Sequence, residues 1–165
     1  IGSESLRHLW VAGLLHDLGK VAIPDQILGK PGRLTDEEYG IIQQHPAIGA
    51  AILERSPFLR PALPGVLHHH ERWDGLGYPG GLRGEEISLE GRILAVADTY
   101  DAIVTTRPYR ASQPPEVAVG EIRRCAGSQF DPLVVDAFLR AHQEGFPGDV
   151  DLSLLPRVAL EPALV

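Results

Sequence analysis

Glycine and proline punctuate this chain throughout, with 18 Gly and 14 Pro among 165 residues. The apolar residues between these breaks carry a helical period, so the spacing predicts an all-α fold built from helices that are repeatedly interrupted. A first helix is expected over residues 4–18, with Leu6, Leu9, Trp10, Gly13 and Leu14 on its inner face and Gly19 as its stop. Residues 21–33 read as a long loop. Thr35 and Glu38 fit a capping box, which starts a helix through Tyr39, Ile41 and Ile42. His45-Pro46 is expected to interrupt that helix, because the residue before proline is pushed away from helical geometry. A second piece follows over 46–55, with Ile48, Ala51 and Ile52 inward, and another helix covers 62–71. Residues 74–87 hold five glycines besides Pro79, and read as an exposed loop. Ser88 caps a strong helix through Val104. Pro114 or Pro115 opens the next helix, which Gly127 ends, and Asp131-Pro132 opens the last. From Gly145 onward no period is visible.

The length suits one domain with its own core. The net charge of −7 argues against a general nucleic-acid groove, so DNA is not an expected partner. No apolar run is long enough to span a bilayer. The single Cys125 cannot form an internal disulfide, which makes a cytoplasmic setting the default. The sequence starts at Ile1 and contains no Met, so it reads as a fragment of something longer.

Five of the seven His occupy suggestive places: His16, His45, His68, His69 and His70. Asp17, Asp98 and Asp101 are the acidic partners. Imidazole and carboxylate together suit Zn, Mn or Fe. Adjacent helical residues point about 100° apart, so His16 and Asp17 could approach one ion, or Asp17 could bridge two. Against this stand ordinary roles. The 68–70 triplet could be a solvated run, and Asp98 and Asp101 could face water. Asp98, however, lies among Val96, Ala97 and Tyr100 on a helix that reads as buried, where a carboxylate needs a partner or a metal. His8 lies two turns from His16, too far to share its ion, and His142 reads as a surface or packed residue. Lys20 could end its helix as a surface charge or contact a phosphate beside the metals. Arg107-Pro108-Tyr109-Arg110 could hold a phosphate through bidentate guanidinium bonds.

The segment His16-Asp17-Leu18-Gly19-Lys20 resembles the HDxGK signature of the HD superfamily. His69-His70-Glu71-Arg72-Trp73-Asp74-Gly75-Leu76-Gly77-Tyr78-Pro79 resembles the HHExxDGxGYP signature of its HD-GYP branch. Similarity continues through 31–35, 45–49, 92–98, 107–110 and 130–132, and covers roughly residues 5–140. The resemblance implies an all-α HD-domain bundle carrying a Gly/Pro-rich GYP loop. Residues 1–145 would be this domain, truncated at its N-terminus, and 146–165 a tail or linker.

The activity implied is metal-dependent hydrolysis of cyclic di-GMP to pGpG, GMP or both, in bacterial second-messenger signalling. The cofactors implied are two or three divalent ions, Fe or Mn. His16, Asp17, His45, His69, His70 and Asp98 would be the metal ligands, with Asp17 bridging. Asp17 and Lys20 are the catalytic candidates. Lys20, Tyr78, Asp101, Arg107 and Arg110 are the candidates for substrate contact, and the counterpart of Asp101 lies near a third metal where one occurs. Gly77, Tyr78 and Pro79 form the loop through which GGDEF partners would dock. The resemblance also implies an upstream helix with a Glu and a His, further back than the 15 residues before His16, and commonly a sensory or receiver domain before it. Two rival readings remain. One is a nucleotide phosphohydrolase of the HD type, which the Gly75–Pro79 signature disfavours. The other is a catalytically impaired binding or interaction module, which the missing upstream ligands favour.

Overall fold

Short helices and tight turns alternate along the chain, as the Gly/Pro punctuation requires. The structure is a computed structural model that describes residues 2–106 and 111–145. Arg107, Arg110 and the tail from 146 lie outside the described residues. The α-helices among the described residues are α1 (Ser3–Leu15), α2 (Asp25–Leu28), α3 (Asp36–Ile42), α4 (His45–Glu54), α5 (Leu63–His68), α6 (Leu89–Val104), α7 (Pro115–Arg124) and α8 (Pro132–Glu144). Single 3-10 turns occupy Leu18–Ala22, Arg60–Ala62 and Gly84–Glu86. No strand occurs among the described residues, only an isolated bridge between Ala126 and Phe130.

The cap chemistry falls where the sequence placed it. Thr35 and Glu38 close a capping box on α3. Ser88 accepts from Gly91 N at 3.2 Å, and Asp131 accepts from Leu133 N at 2.8 Å. Other boundaries move. α1 ends at Leu15, not at residue 18. The stretch 21–33 is not all loop, because α2 forms inside it. The break between α3 and α4 falls at Gln43-Gln44, and His45-Pro46 form the first turn of α4, where proline's missing N–H costs nothing. α5 ends at His68, so His69 and His70 lie beyond the helix.

Two cores share α6. One joins Ala12, Leu53, Val66 and Leu94 from α1, α4, α5 and α6 with Ala62 from the Arg60–Ala62 turn. The other joins Val96, Ile122, Cys125, Phe130, Val134 and Val135 from α6, α7 and α8. The buried faces of α1 and α4 differ from the expected ones. Leu6, Leu14 and Ile52 are exposed, as is Ala51, whereas Ala12, Gly49 and Leu53 are buried. Close backbone approach explains the shift: a Cβ on Gly65 of α5 would lie 2.7 Å from the Ala12 Cβ. Small residues, not the largest hydrophobes, therefore choose the contact face of α1.

Candidate metal centre

The adjacent His16 and Asp17 are not helix neighbours. His16 is the C-cap of α1, and Asp17 has φ −94° and ψ 2°. That bridge-region conformation turns the chain into the 3-10 segment. Gly19 lets this segment lie directly on α4. A Cβ there would overlap the His45 carbonyl oxygen and come within 2.6 Å of Gly49 N. The turn thereby brings Asp17 beside His45, while α5 delivers His69 and His70 from its C-terminal end.

Three imidazoles are oriented by one recurring device. His16, His45 and His69 each hydrogen-bond through Nδ1 to the backbone carbonyl three residues earlier: Gly13 at 2.7 Å, Ile42 at 2.7 Å and Val66 at 2.6 Å. A carbonyl only accepts, so Nδ1 carries the proton and the lone pair of each neutral ring sits on Nε2. Burial, with the neighbouring His70, pushes His69 down to about 3. Burial, with neighbouring His45, pushes His70 down to about 4, and burial also lowers His45. These rings are therefore neutral near pH 7. His45 Nε2 and His69 Nε2 stand 3.2 Å apart. With both Nδ1 atoms protonated, neither ring has a proton to place between them, and two lone pairs face each other. A cation resolves that repulsion.

The carboxylates complete the set. Asp17 Oδ1 is 3.4 Å from His45 Nε2, while Oδ2 is 3.6 Å from His16 Nε2. His16 Nε2 is 4.0 Å from Asp98 Oδ1. One carboxylate thus presents one oxygen to His45 and the other to His16. The ligand atoms of His45, His69 and His70 lie within 4.8 Å of one another. Donors bound at about 2.0–2.2 Å around an ion stand roughly 3–3.6 Å apart, so these three residues could hold a divalent metal once drawn slightly together. Lys20 Nζ bonds Asp17 Oδ2 at 2.7 Å. Burial pushes the Asp17 carboxyl up, but this bond and the charge of Lys20 outweigh it and hold Asp17 below the usual carboxylate range.

His68 does not join the cluster, since its Nδ1 accepts from Ser88 N at 3.2 Å and ties α5 to the start of α6. Asp101 is exposed and accepts from the Thr105 hydroxyl at 2.9 Å. Tyr78 lies over the cluster, its ring stacked on His70 with centroids 4.8 Å apart. Its burial raises the phenol, which stays protonated. Pro79 is exposed, whereas Gly77 is pressed onto the backbone, with a Cβ there only 2.5 Å from Glu71 Cα.

Sequence reasoning gave Glu71 no role. It is 3 % exposed, and its carboxylate accepts from Gly80 N at 2.6 Å and Leu82 N at 3.0 Å. The glycine-rich loop is therefore tied to the residue next to His70, not merely exposed. Trp73 N and Asp74 N donate to the carbonyls of Gln129 and Ser128, which fixes the loop to the α7–α8 turn. An acid just before the glycine-rich stretch was the available signal, since a buried carboxylate needs donors. Beside the cluster an open groove of about 790 Å³ runs between this loop, α6 and α7, and its lining includes His69, His70, Asp98, Arg72, Glu121 and Gln129.

A helical bundle that gathers neutral imidazoles and shared carboxylates at a groove defines a metal-binding domain of the HD type. The HD domain family profile matches residues 2–134, and the chain belongs to that family. The chain is similar to a cyclic di-GMP phosphodiesterase of Thermotoga maritima, 51% identical over 135 residues, which is 81% of this chain and 37% of that protein. It is 42% identical over 135 residues to a 3'3'-cGAMP-specific phosphodiesterase of Vibrio cholerae, covering 81% of this chain and 26% of that one. The chain thus spans only about a third of the length of such relatives. The crystal structure of a cyclic GMP-AMP specific phosphodiesterase of V. cholerae superposes with a TM-score of 0.65 at 20% identity, over 88% of this chain and 40% of that one, which shows a shared fold. No helix among the described residues is long and apolar enough to cross a membrane.

Proposed function

We propose that this chain is the catalytic domain of a metal-dependent phosphodiesterase that opens cyclic di-GMP to pGpG, GMP or both. The observation that carries this reading is Asp17, whose two oxygens face two different imidazoles, Oδ1 towards His45 and Oδ2 towards His16. In this reading His45, His69 and His70 would hold one ion, His16 and Asp98 would hold the other, and Asp17 would serve both. What divalent ions supply when bound is neutralisation of the phosphodiester charge and acidification of water in the site. Fe or Mn suits this nitrogen and oxygen set.

The chain's own residues supply the rest. A water oxygen attacks phosphorus and gives up a proton, the opposite P–O bond breaks, and the leaving alkoxide takes up a proton from water, so that the sum is one water added across the P–O bond. Asp17 fixes the line of attack by holding both donor groups in register. Lys20 exchanges its bond to Asp17 for a non-bridging phosphate oxygen and stabilises the charge that develops there. Arg107 and Arg110 are assigned further phosphate contacts, Tyr78 a wall against the substrate, and Asp101 the outer edge of the site or a third ion. Gly77, Tyr78 and Pro79 are proposed as a contact for GGDEF partners. We also assign residues 1–145 to this domain, a cytoplasmic setting, and an upstream sensory or receiver domain in the whole protein.

The test is turnover of cyclic di-GMP against mononucleotides by the Mn- or Fe-loaded protein, as this chain and with its natural upstream segment. Release of pGpG or GMP from the cyclic substrate alone supports the reading. Metal binding without turnover in the longer form would sink the enzymatic assignment and leave a binding module.

A further inference from the structure

Two sequence segments left without a role by the reading above, the start of 92–98 and the whole of 130–132, meet in the fold. Arg92, the fourth residue of α6, donates from Nη1 to Asp131 Oδ2 at 2.7 Å. The two side chains are 16 % and 2 % exposed. Burying such a pair costs desolvation, and an apolar pair of similar volume often packs as well or better. Arg92 Nε adds to that cost, since it is buried and has no hydrogen-bond partner among the described residues. Stability alone therefore does not account for Arg92.

What the guanidinium faces suggests another role. It stands over Trp73, 5.9 Å from the ring centroid, within cation–π range. Trp73 is the residue at which the glycine-rich loop is tied on both sides. Its N–H donates to the Gln129 carbonyl at 3.1 Å, and its own carbonyl accepts from Gly84 N at 3.0 Å. Gln129 and Asp131 belong to the same turn between α7 and α8. Arg92 therefore contacts both halves of one joint, Trp73 from the loop and Asp131 from the turn. The start of α6 has a separate anchor on its other neighbour, because a Cβ on Gly91 would stand 2.6 Å from the His68 Cβ. Losing Arg92 should accordingly free the loop more than it moves α6 and Asp98.

From this joint we infer that Arg92 is a positioning residue, which acts through Trp73 and Asp131 to set where the loop, and with it the Tyr78 ring on His70, lies over the metal centre. Its effect on turnover rests on the phosphodiesterase reading above. Its effect on the loop does not. Arg92 is not among the residues that line the groove, so it works at a distance. A lysine could keep the charge beside Asp131, but not the flat guanidinium that also covers the ring.

The test uses the whole chain carrying Trp10→Phe, so that Trp73 is its one remaining tryptophan. Arg92→Met, Arg92→Lys and Asp131→Asn are compared by Trp73 emission and acrylamide quenching, by Mn content, and by KM and kcat for cyclic di-GMP. Asp131→Asn keeps an oxygen to cap Leu133 N while removing the charge opposite Arg92, so it serves even if Arg92→Met does not fold. Arg92→Met and Asp131→Asn should shift Trp73 emission to the red and increase its quenching. Both should raise KM about tenfold, with a smaller change in kcat and native Mn content. Arg92→Lys should recover part of the KM and less of the Trp73 signal. A lower Tm with native Trp73 emission and native KM would overturn the inference and leave a structural ion pair. Loss of Mn in step with turnover would overturn it too, because α6 would then be what moved. No turnover by the parent chain would sink the phosphodiesterase reading instead, and the Trp73 signal alone would then decide whether Arg92 holds the loop.

Discussion

The histidine cluster and the glycine-rich loop lie against each other but are held by opposite means. The imidazoles of His16, His45 and His69 are aimed by their own local backbone, each on a carbonyl three residues back. The loop has a few local bonds, such as the Arg72–Asp74 pair. Groups further away in sequence hold it as well: the Glu71 carboxylate, and the carbonyls of Ser128 and Gln129. The cluster should therefore depend on helix packing, and the loop on a few polar anchors.

Substitutions can break or sharpen that contrast. The largest effect belongs to Gly19→Ala, because the added methyl meets the backbone of α4 and not a movable side chain. It should cost more than about 3 kcal/mol, seen as a large fall in Tm together with loss of bound metal. Glu71→Ala comes next. It strips Gly80 N and Leu82 N of their acceptor, for a loss of about 2 kcal/mol. Turnover should fall strongly while metal content stays near that of the native chain, and Glu71→Gln should recover part of the loss. Equal loss of metal in Glu71→Ala would mean that cluster and loop are one unit. Tyr78→Phe should be smallest, at under about 1 kcal/mol, since the stacking on His70 persists. Its KM for the cyclic substrate should change more than its kcat.

The sequence displayed the helices that carry caps, because Thr35, Ser88 and Asp131 act on neighbours three residues away or fewer. It displayed the donor set too, since His16, Asp17, His45, His69, His70 and Asp98 sit in two long motifs and their surroundings. It did not display how the set is assembled. The buried faces of α1 and α4 depend on Gly65 and Gly19, whose partners are far away in sequence, so periodicity pointed to Leu14 and Ile52 instead. Composition alone grouped His68 with His69 and His70, and only the motif resemblance set it apart. That distinction depends on α5 ending where Ser88 meets His68, a contact between residues 20 positions apart. Glu71 was visible only as a motif letter, because its donors lie in a loop whose path follows from the tethers themselves.

The central claim is that Asp17 is shared by two metal positions. Metal content per chain, measured after loading with Mn, tests it in the native chain beside His16→Ala, His69→Ala and Asp17→Ala. The account predicts two ions in the native chain, the loss of one in each histidine variant, and the loss of both in Asp17→Ala. Retention of both ions by Asp17→Ala, or no bound metal in the native chain, would contradict it.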